Sequence, residues 1–454
     1  MINYGNVTTD DSYMNDVTGL VVHLKNFIRG YVLFNAEANE ISRNIAYTFC
    51  ASQETTLENT VVIAVSSTSA TQITVDLMNQ LNIPMILDVS DETSIQDIVS
   101  DNDANLSVSV SVFQPPSKSG NLGEFGVYSN AITIEYSSGS VETEFVLNRL
   151  EQVCNGECAG FGWGPEQQFV SDLATRGVYV HPSDWAKNLA TLTNTHIQTP
   201  LQNIPEVLEF KSNVHTVCFV MTDGDNVQWL LNDFAAMSTK WWGAENRGEV
   251  PMGWTISPAI KTISPPTFNY LMRTRSENDE LIAGPSGLGY TYPEALKGLE
   301  NFASVTETYM VDTGLTVLNI IGHSDEQQYM EPFLVKQNID GILYYTFADG
   351  YAGGSGKLEW VDVSGVMKPV VNARWSLWGD ATSGPMLGVN GLVSALESMP
   401  KDTGIETGYS LIPVHAWTHD YSDVVSVVEQ LGSSGFEVLM PSQFLEKLSL
   451  NLSN

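Results

Sequence analysis

Thr216-Val217-Cys218-Phe219-Val220-Met221, followed at once by Thr222-Asp223-Gly224-Asp225-Asn226-Val227-Gln228-Trp229, carries the plan of the second half of the chain. The first six residues form the apolar, β-branched run of a buried strand, and the Asp-Gly-Asp-Asn cluster behind them reads as a turn into a helix. Comparable runs recur at 252–256, 281–283, 316–321, 341–345, 369–372, 409–414 and 436–440, at intervals that leave room for a helix between successive strands. Seven or eight such units predict a (β/α) barrel, intact or incomplete, over residues 205–454.

The same alternation begins earlier. Val61-Val62-Ile63-Ala64-Val65 reads as a strand, Ile73, Leu77 and Leu81 fall four apart as on a helix, and Pro84-Met85-Ile86-Leu87 reads as the next strand. This is a β-α-β unit with a parallel sheet. Between 102 and 130 the composition turns to Ser, Gly and Pro, which predicts a long loop or irregular hairpin. A strand at 131–136, a helix over 143–152, Gly160-Phe161-Gly162-Trp163 and a further helix before Val178-Tyr179-Val180 complete an N-terminal α/β domain, placed at residues 1–204. The fold class is therefore α/β, an N-terminal α/β domain followed by a (β/α)7-8 barrel-like domain.

Twenty Lys and Arg against fifty-three Asp and Glu give a formal charge of −33, which repels nucleic acid and anionic lipid and suits a neutral partner such as a glycan. No run approaches about eighteen uninterrupted apolar residues, so no membrane span is expected. The N-terminus lacks the basic-then-apolar layout of a signal peptide. Asn6, Asn105 and Asn451 open Asn-x-Ser/Thr tripeptides, a number near chance in so Ser/Thr-rich a chain. Cys154 and Cys158 could close a small disulfide loop, but with only four cysteines in the chain they read as free thiols near a turn.

In a (β/α) barrel, functional groups gather behind the carboxyl ends of the strands. Asp223 and Asp225 stand there, two apart; in an extended segment they share a face about 6.6 Å apart in rise. Paired carboxyls, one protonated and one ionised, are what glycoside hydrolysis requires. The alternative is an Asx turn capping the next helix, which explains one Asp more easily than both. Other strand ends supply Trp254, Tyr290 and Tyr292, Asp325 and Glu326, Asp349, Arg374 and Trp375, His415 and Trp417. Aromatic faces match the C–H faces of pyranose rings, although most tryptophans in most proteins are core. His415 and His419 are four apart on what reads as strand, a spacing of about 13 Å that no single metal bridges unless the chain turns at Trp417. No protein metal site is expected; the one cation position the residues offer is a divalent ion at Asp223 and Asp225. No Gly-x-Ser-x-Gly elbow, Walker loop or dinucleotide fingerprint occurs in a suitable context.

Residues 284–293, Gly-Pro-Ser-Gly-Leu-Gly-Tyr-Thr-Tyr-Pro, resemble the signature of the GxGYxYP family at Gly287, Gly289, Tyr290, Tyr292 and Pro293. Similar to family members are also Asp223 to Trp229, Trp241-Trp242, Arg247-Gly248, Gly253-Trp254-Thr255-Ile256, Asn278-Asp279 and, near the N-terminus, Arg29-Gly30-Tyr31-Val32-Leu33. The resemblance spans roughly residues 20 to 447 and implies an extracellular or periplasmic glycoside hydrolase whose C-terminal barrel bears the site. It supplies no catalytic pair. Polysaccharide deacetylases share an early Asp-rich strand end, but their histidines soon after it are missing here, since none lies between His215 and His323.

The residues and the resemblance together predict a glycoside hydrolase acting on an oligo- or polysaccharide by carboxylate acid/base chemistry. Asp223, Asp225, Asp325 and Glu326 are its candidate catalytic groups; Asn226, Trp254, Tyr290, Tyr292, Arg374, Trp375, His415 and Trp417 are its candidate substrate contacts. The alternatives are a carbohydrate-binding protein without catalysis and a divalent-metal hydrolase on a deacetylase-like barrel.

Overall fold

The computed structural model describes residues 17–53, 60–68, 73–118, 121–207, 209–351 and 356–453. Asn6 and the side chain of Asp349 lie outside what is described. The chain divides into two compact units, through Val146 and from Leu147.

In the first unit, β1 (Ile28–Phe34) is flanked by β2 (Val61–Ser66) and β3 (Met85–Asp88), all parallel. Helix Ser42–Ser52 covers one face, closing a core of Val32, Phe34, Ile45, Cys50, Val62 and Val89. Helix Val75–Gln80 carries Leu77 and Met78 onto the other face, where they meet Tyr31, Val65 and Ile83. Thr74 caps that helix by accepting from Leu77 N at 3.2 Å. The stretch expected to be loop contains β4 (Val110–Phe113) and helix Gly123–Tyr128, and β4 pairs in parallel with β5 (Ile132–Ile134). Ser111 lies within β4 and Gly123 and Gly126 within the helix, so these short elements do not stand out from the Ser, Gly and Pro around them.

The second unit opens with the parallel pair β6 (Cys158–Gly162) and β7 (Val178–Pro182). Cys154 and Cys158 form a disulfide, against the expectation of free thiols. The end of helix Val141–Val153 and the start of β6 bring their Cα atoms to 5.6 Å, within bridging range.

The large sheet follows. It contains β8 (His215–Met221), β9 (Met252–Ile256), β10 (Asp279–Ala283), β11 (Val317–Gly322), β12 (Gly341–Thr346), β13 (Leu358–Val363), β14 (Val366–Asn372), β15 (Ser376–Leu377), β16 (Met386–Leu387), β17 (Tyr409–Val414) and β18 (Phe436–Val438). Its order is β13-β14-β12-β11-β10-β9-β8-β17-β15-β16, with β18 on β8. The pairs are parallel except the β13–β14 hairpin. That hairpin turns on Ser364 and Gly365, both at positive φ, as a two-residue turn requires.

β17 pairs along the length of β8, while the other edge of β8 is shared by β18 at His215–Val217 and by β9 at Val220 and Met221. Among the described residues no pairing joins the edge strands β13 and β16, so the sheet curls as a barrel without closing. Every residue of β8, β9, β10, β11 and β17 is buried, which explains why their sequences show no inside–outside alternation of apolar and polar residues. No helix among the described residues is long and apolar enough to cross a membrane.

At the amino end of this sheet a buried network holds the strands. Asp279 accepts from Trp254 Nε1 at 2.8 Å and Ser276 N at 2.7 Å, and pairs with Arg247. The Arg247 guanidinium lies 4.3 Å over the Trp242 ring.

Candidate functional site

The turn behind β8 is shaped by Gly224. A Cβ there would run into the Thr255 carbonyl, so only glycine lets the turn press against β9. Two hydrogen bonds seal that contact: Gly224 N donates to Thr255 Oγ1 at 3.0 Å, and Ser257 N donates to the Gly224 carbonyl at 2.9 Å. Asp223 pays with a left-handed backbone, φ 68°, a conformation that Asp tolerates better than most residues. The segment is a turn and not extended strand, so strand alternation is not what brings Asp223 and Asp225 together. Nor does either cap the next helix, since Asn226 Oδ1 accepts from Trp229 N at 3.2 Å.

Both aspartates line a cavity of about 210 Å³. Its other walls are Trp163 and Glu166 behind β6, Pro182 at the end of β7, Asn226 and Gln228, Pro285 and Tyr290 of the 284–293 loop, Ile321 near the end of β11, Tyr351 behind β12 and Trp417 behind β17. It thus stands at the carboxyl ends of the strands. Tyr351 is also left-handed, φ 69°, so two non-glycine residues in that sparsely populated region meet at one cavity.

Asp223 Oδ1 accepts from Trp417 Nε1 at 3.0 Å, and Oδ2 accepts from the Thr222 hydroxyl. Burial pushes the Asp223 carboxyl up to about 6; the two hydrogen bonds oppose the rise and the Glu166 charge adds to it. Asp225 is only 6% exposed. Burial, then the Asp223 charge, raises its carboxyl well above the ordinary aspartate value. Glu166, exposed at the mouth, accepts from the Tyr290 hydroxyl at 3.1 Å.

The glycines of the 284–293 loop serve docking. Gly287 needs φ 81°, and a Cβ on Gly289 would stand 2.7 Å from the Tyr179 ring and 3.0 Å from the Val180 carbonyl. Free of that clash, Tyr290 exchanges backbone hydrogen bonds with Val180 at 2.8 and 2.9 Å and stacks on Trp163 with centroids 6.1 Å apart. Tyr292 is buried behind it, its hydroxyl 3.2 Å from that of Tyr290, its ring against His323 and Phe347.

Of the residues singled out from sequence, Asp223, Asp225, Asn226, Tyr290 and Trp417 meet at this cavity. Trp254 is fully buried in the network with Asp279. Asp325 lies 3.9 Å from Lys357 Nζ, and Glu326 is exposed and accepts from Gln328 Nε2 at 2.8 Å; neither lines the cavity. Arg374 lies 5.7 Å over the ring of Trp375, away from the lining. His415 stacks on Trp378 at 3.3 Å behind Tyr351. Burial brings it down to about 4, so its ring is neutral at pH 7.

The chain does turn between His415 and His419, but His419 engages both ring nitrogens, with Asp423 Oδ2 and the Gly379 carbonyl, each at 2.9 Å. Among the described residues no group of three or more His, Cys, Asp or Glu side chains is arranged to hold a metal ion. Sequence reasoning passed over Glu166, Trp163, Gln228 and Tyr351. The available signal was Gly-Trp-Gly-Pro-Glu (162–166) directly behind β6.

Fold and cavity define an α/β protein with an open, barrel-like sheet whose strand ends carry acidic and aromatic side chains. Residues 213–449 match the model of the "GxGYxYP putative glycoside hydrolase C-terminal domain", and residues 105–194 match the "GxGYxYP third domain". The chain belongs to the GxGYxYP family.

Its fold is similar to that of a "putative hydrolase" from Bacteroides thetaiotaomicron VPI-5482, with a TM-score of 0.81 and 22% identity over 96% of this chain and 83% of the other. At that identity the likeness is one of fold. A "putative polysaccharide deacetylase" from Mycobacterium smegmatis aligns with a TM-score of 0.31 and 10% identity over 54% of this chain and 94% of the other, too distant to support an argument. No curated protein matches the chain.

Proposed function

We propose that this protein is a glycoside hydrolase that cleaves an O-glycosidic bond of an oligo- or polysaccharide by carboxylate acid/base chemistry. One observation carries the reading: Asp223 and Asp225 leave a single turn and enter one aromatic-walled cavity, where burial raises both carboxyls and the Asp223 charge raises Asp225 further. Two carboxyls whose surroundings drive their proton affinities apart are suited to the acid and base roles of glycoside cleavage. Asp225, whose raised proton affinity suits the acid role, donates its proton to the departing glycosidic oxygen. Asp223, ionised above about pH 6, acts as base or nucleophile, its charge steadied by Trp417 and Thr222. Trp163, Tyr290, Tyr351 and Trp417 offer ring faces to the sugar. We place its action outside the cytoplasm, where the Cys154–Cys158 disulfide would persist.

The test is turnover of a diverse glycan panel by wild type, Asp223→Asn and Asp225→Asn, with and without chelator. Cleavage that survives chelator and drops by about 10²–10⁴ in either variant supports the reading. Loss with chelator points to a metal hydrolase. Glycan binding without any cleavage makes the protein a carbohydrate-binding module.

A further inference from the structure

We infer that the cavity is built for one sugar residue at the end of a glycan chain, and that this residue carries no anionic group. The inference deepens the glycosidase reading and rests on it.

Size comes first. A cavity of about 210 Å³ falls below the roughly 300–1,000 Å³ typical of sites for drug-sized ligands. That is room on the scale of a single pyranose ring and not for several consecutive ones. Its depth runs one way: Asp225, Tyr290 and Ile321 are 6%, 4% and 1% exposed, whereas Glu166 is exposed and Trp417 is 50% exposed. The lining is drawn from the ends of β6, β7, β8, β11, β12 and β17 and from the 284–293 loop. A site so ringed accepts a chain end, whereas internal cleavage needs a groove in which the chain runs past on both sides.

Charge comes second. Asp223, Asp225 and Glu166 all line the cavity, and none of its lining residues is Lys, Arg or His. A uronate, sulfate or phosphate on the bound residue would be desolvated with no cation to pair it, beside carboxylates that repel it. The net charge of −33 adds long-range repulsion. Hydroxyl and acetamido groups carry no such penalty, and an ammonium group would find partners in Asp223 and Glu166.

Two measurements on the full chain test this. The first follows early products from neutral oligosaccharides that the protein cleaves. Monosaccharide as the sole small product is expected; dimers and trimers appearing at the outset overturn terminal cleavage while leaving the glycosidase reading intact. The second titrates glucose, galactose and mannose, with their 2-amino and uronic acid counterparts, by tryptophan fluorescence in wild type and Trp163→Phe. The hexose that binds should do so roughly tenfold or more tightly than its uronate, and Trp163→Phe should weaken it. Equal or tighter uronate binding in wild type overturns the charge selection, and turnover of glycans with no monosaccharide binding overturns the single-residue site. Hexose binding without turnover of any glycan sinks the glycosidase reading and terminal cleavage together.

Discussion

Trp417 Nε1 donates to Asp223 Oδ1 at 3.0 Å, and Thr222 Oγ1, which donates to the other oxygen, itself accepts from Ala416 N at 3.3 Å. The ends of β8 and β17 thereby hold one carboxylate between them, and both donors favour its ionised form. They oppose the burial that pushes Asp223 up to about 6.

Trp417→Phe should therefore move Asp223 further upward. A hydrogen bond to a charged group contributes about 1.5–3 kcal/mol, less at a half-exposed rim, and 1.36 kcal/mol corresponds to one pH unit. The acidic limb of the kcat/KM profile should shift to higher pH by about 0.5–1 unit, with activity retained on the alkaline side. An unmoved limb would mean that Asp223 is not the group whose ionisation the reaction needs.

Glu280 offers a test of stability alone, at the amino end of the sheet. Burial raises its carboxyl to about 7, against the Ser442 N–H and hydroxyl, which both donate to Oε2. Because the folded-state value lies above the unfolded one near 4.3, the folded protein binds the extra proton, and this stabilising uptake is lost as pH rises from about 4 through 7. Glu280→Gln retains an acceptor for Ser442 and removes the titration. The variant should match wild type in denaturant melts at pH 4 and exceed it at pH 8 by an amount of order 2–3 kcal/mol. An unchanged gap between pH 4 and 8 would refute the assignment.

How legible was this molecule in its sequence? Strands 252–256 and 409–414 match the observed bounds residue for residue, because both faces of β9 and β17 are buried and each reads as a mostly apolar run. Asp223 and Asp225 could be found because they follow such a strand. Glu166 and Trp163 carry only the local signal of a Gly-Trp-Gly-Pro-Glu turn behind β6, and their meeting with Tyr290 goes with its docking on Val180, a contact more than a hundred residues apart in the chain. Trp254 shows the converse. It is an aromatic residue in a strand feeding the site, yet its indole donates to Asp279 at the opposite end of the sheet. Nor does a position behind a strand settle direction: Asp325 and Glu326 follow β11 but turn to Lys357 and Gln328.

The Asp279 network should accordingly govern stability. Asp279→Ala leaves the Arg247 guanidinium without its buried partner and the Trp254 indole N–H without an acceptor. A loss of about 3–5 kcal/mol in denaturant unfolding is expected. Trp254→Phe should cost less, of order 1–2 kcal/mol, and leave glycan affinity unchanged where folded protein remains. A selective loss of sugar binding in Trp254→Phe would return that residue to the site.

Gly289→Ala tests how the 284–293 loop builds the cavity. The new methyl would meet Tyr179 Cδ2 at 2.7 Å, the Val180 carbonyl at 3.0 Å and His181 Cε1 at 3.3 Å. Tyr179 cannot easily yield, because its ring is packed against Phe302 and His181 at centroid distances of 5.2 and 5.4 Å. Relief must come from the loop lifting off β7, which weakens the Val180–Tyr290 backbone pair and draws the Tyr290 hydroxyl from Glu166. Overpacking of this kind costs about 1–3 kcal/mol, and a displacement near 1 Å at a catalytic wall can lower turnover by ~10²-fold. Tyr290→Phe separates the two effects, since it removes the hydroxyl and leaves the backbone pair in place. It should keep most of the wild-type Tm while weakening activity, whereas Gly289→Ala should lower both. Wild-type Tm and kcat/KM in Gly289→Ala would show that close docking on β7 is not what holds Tyr290 at the cavity.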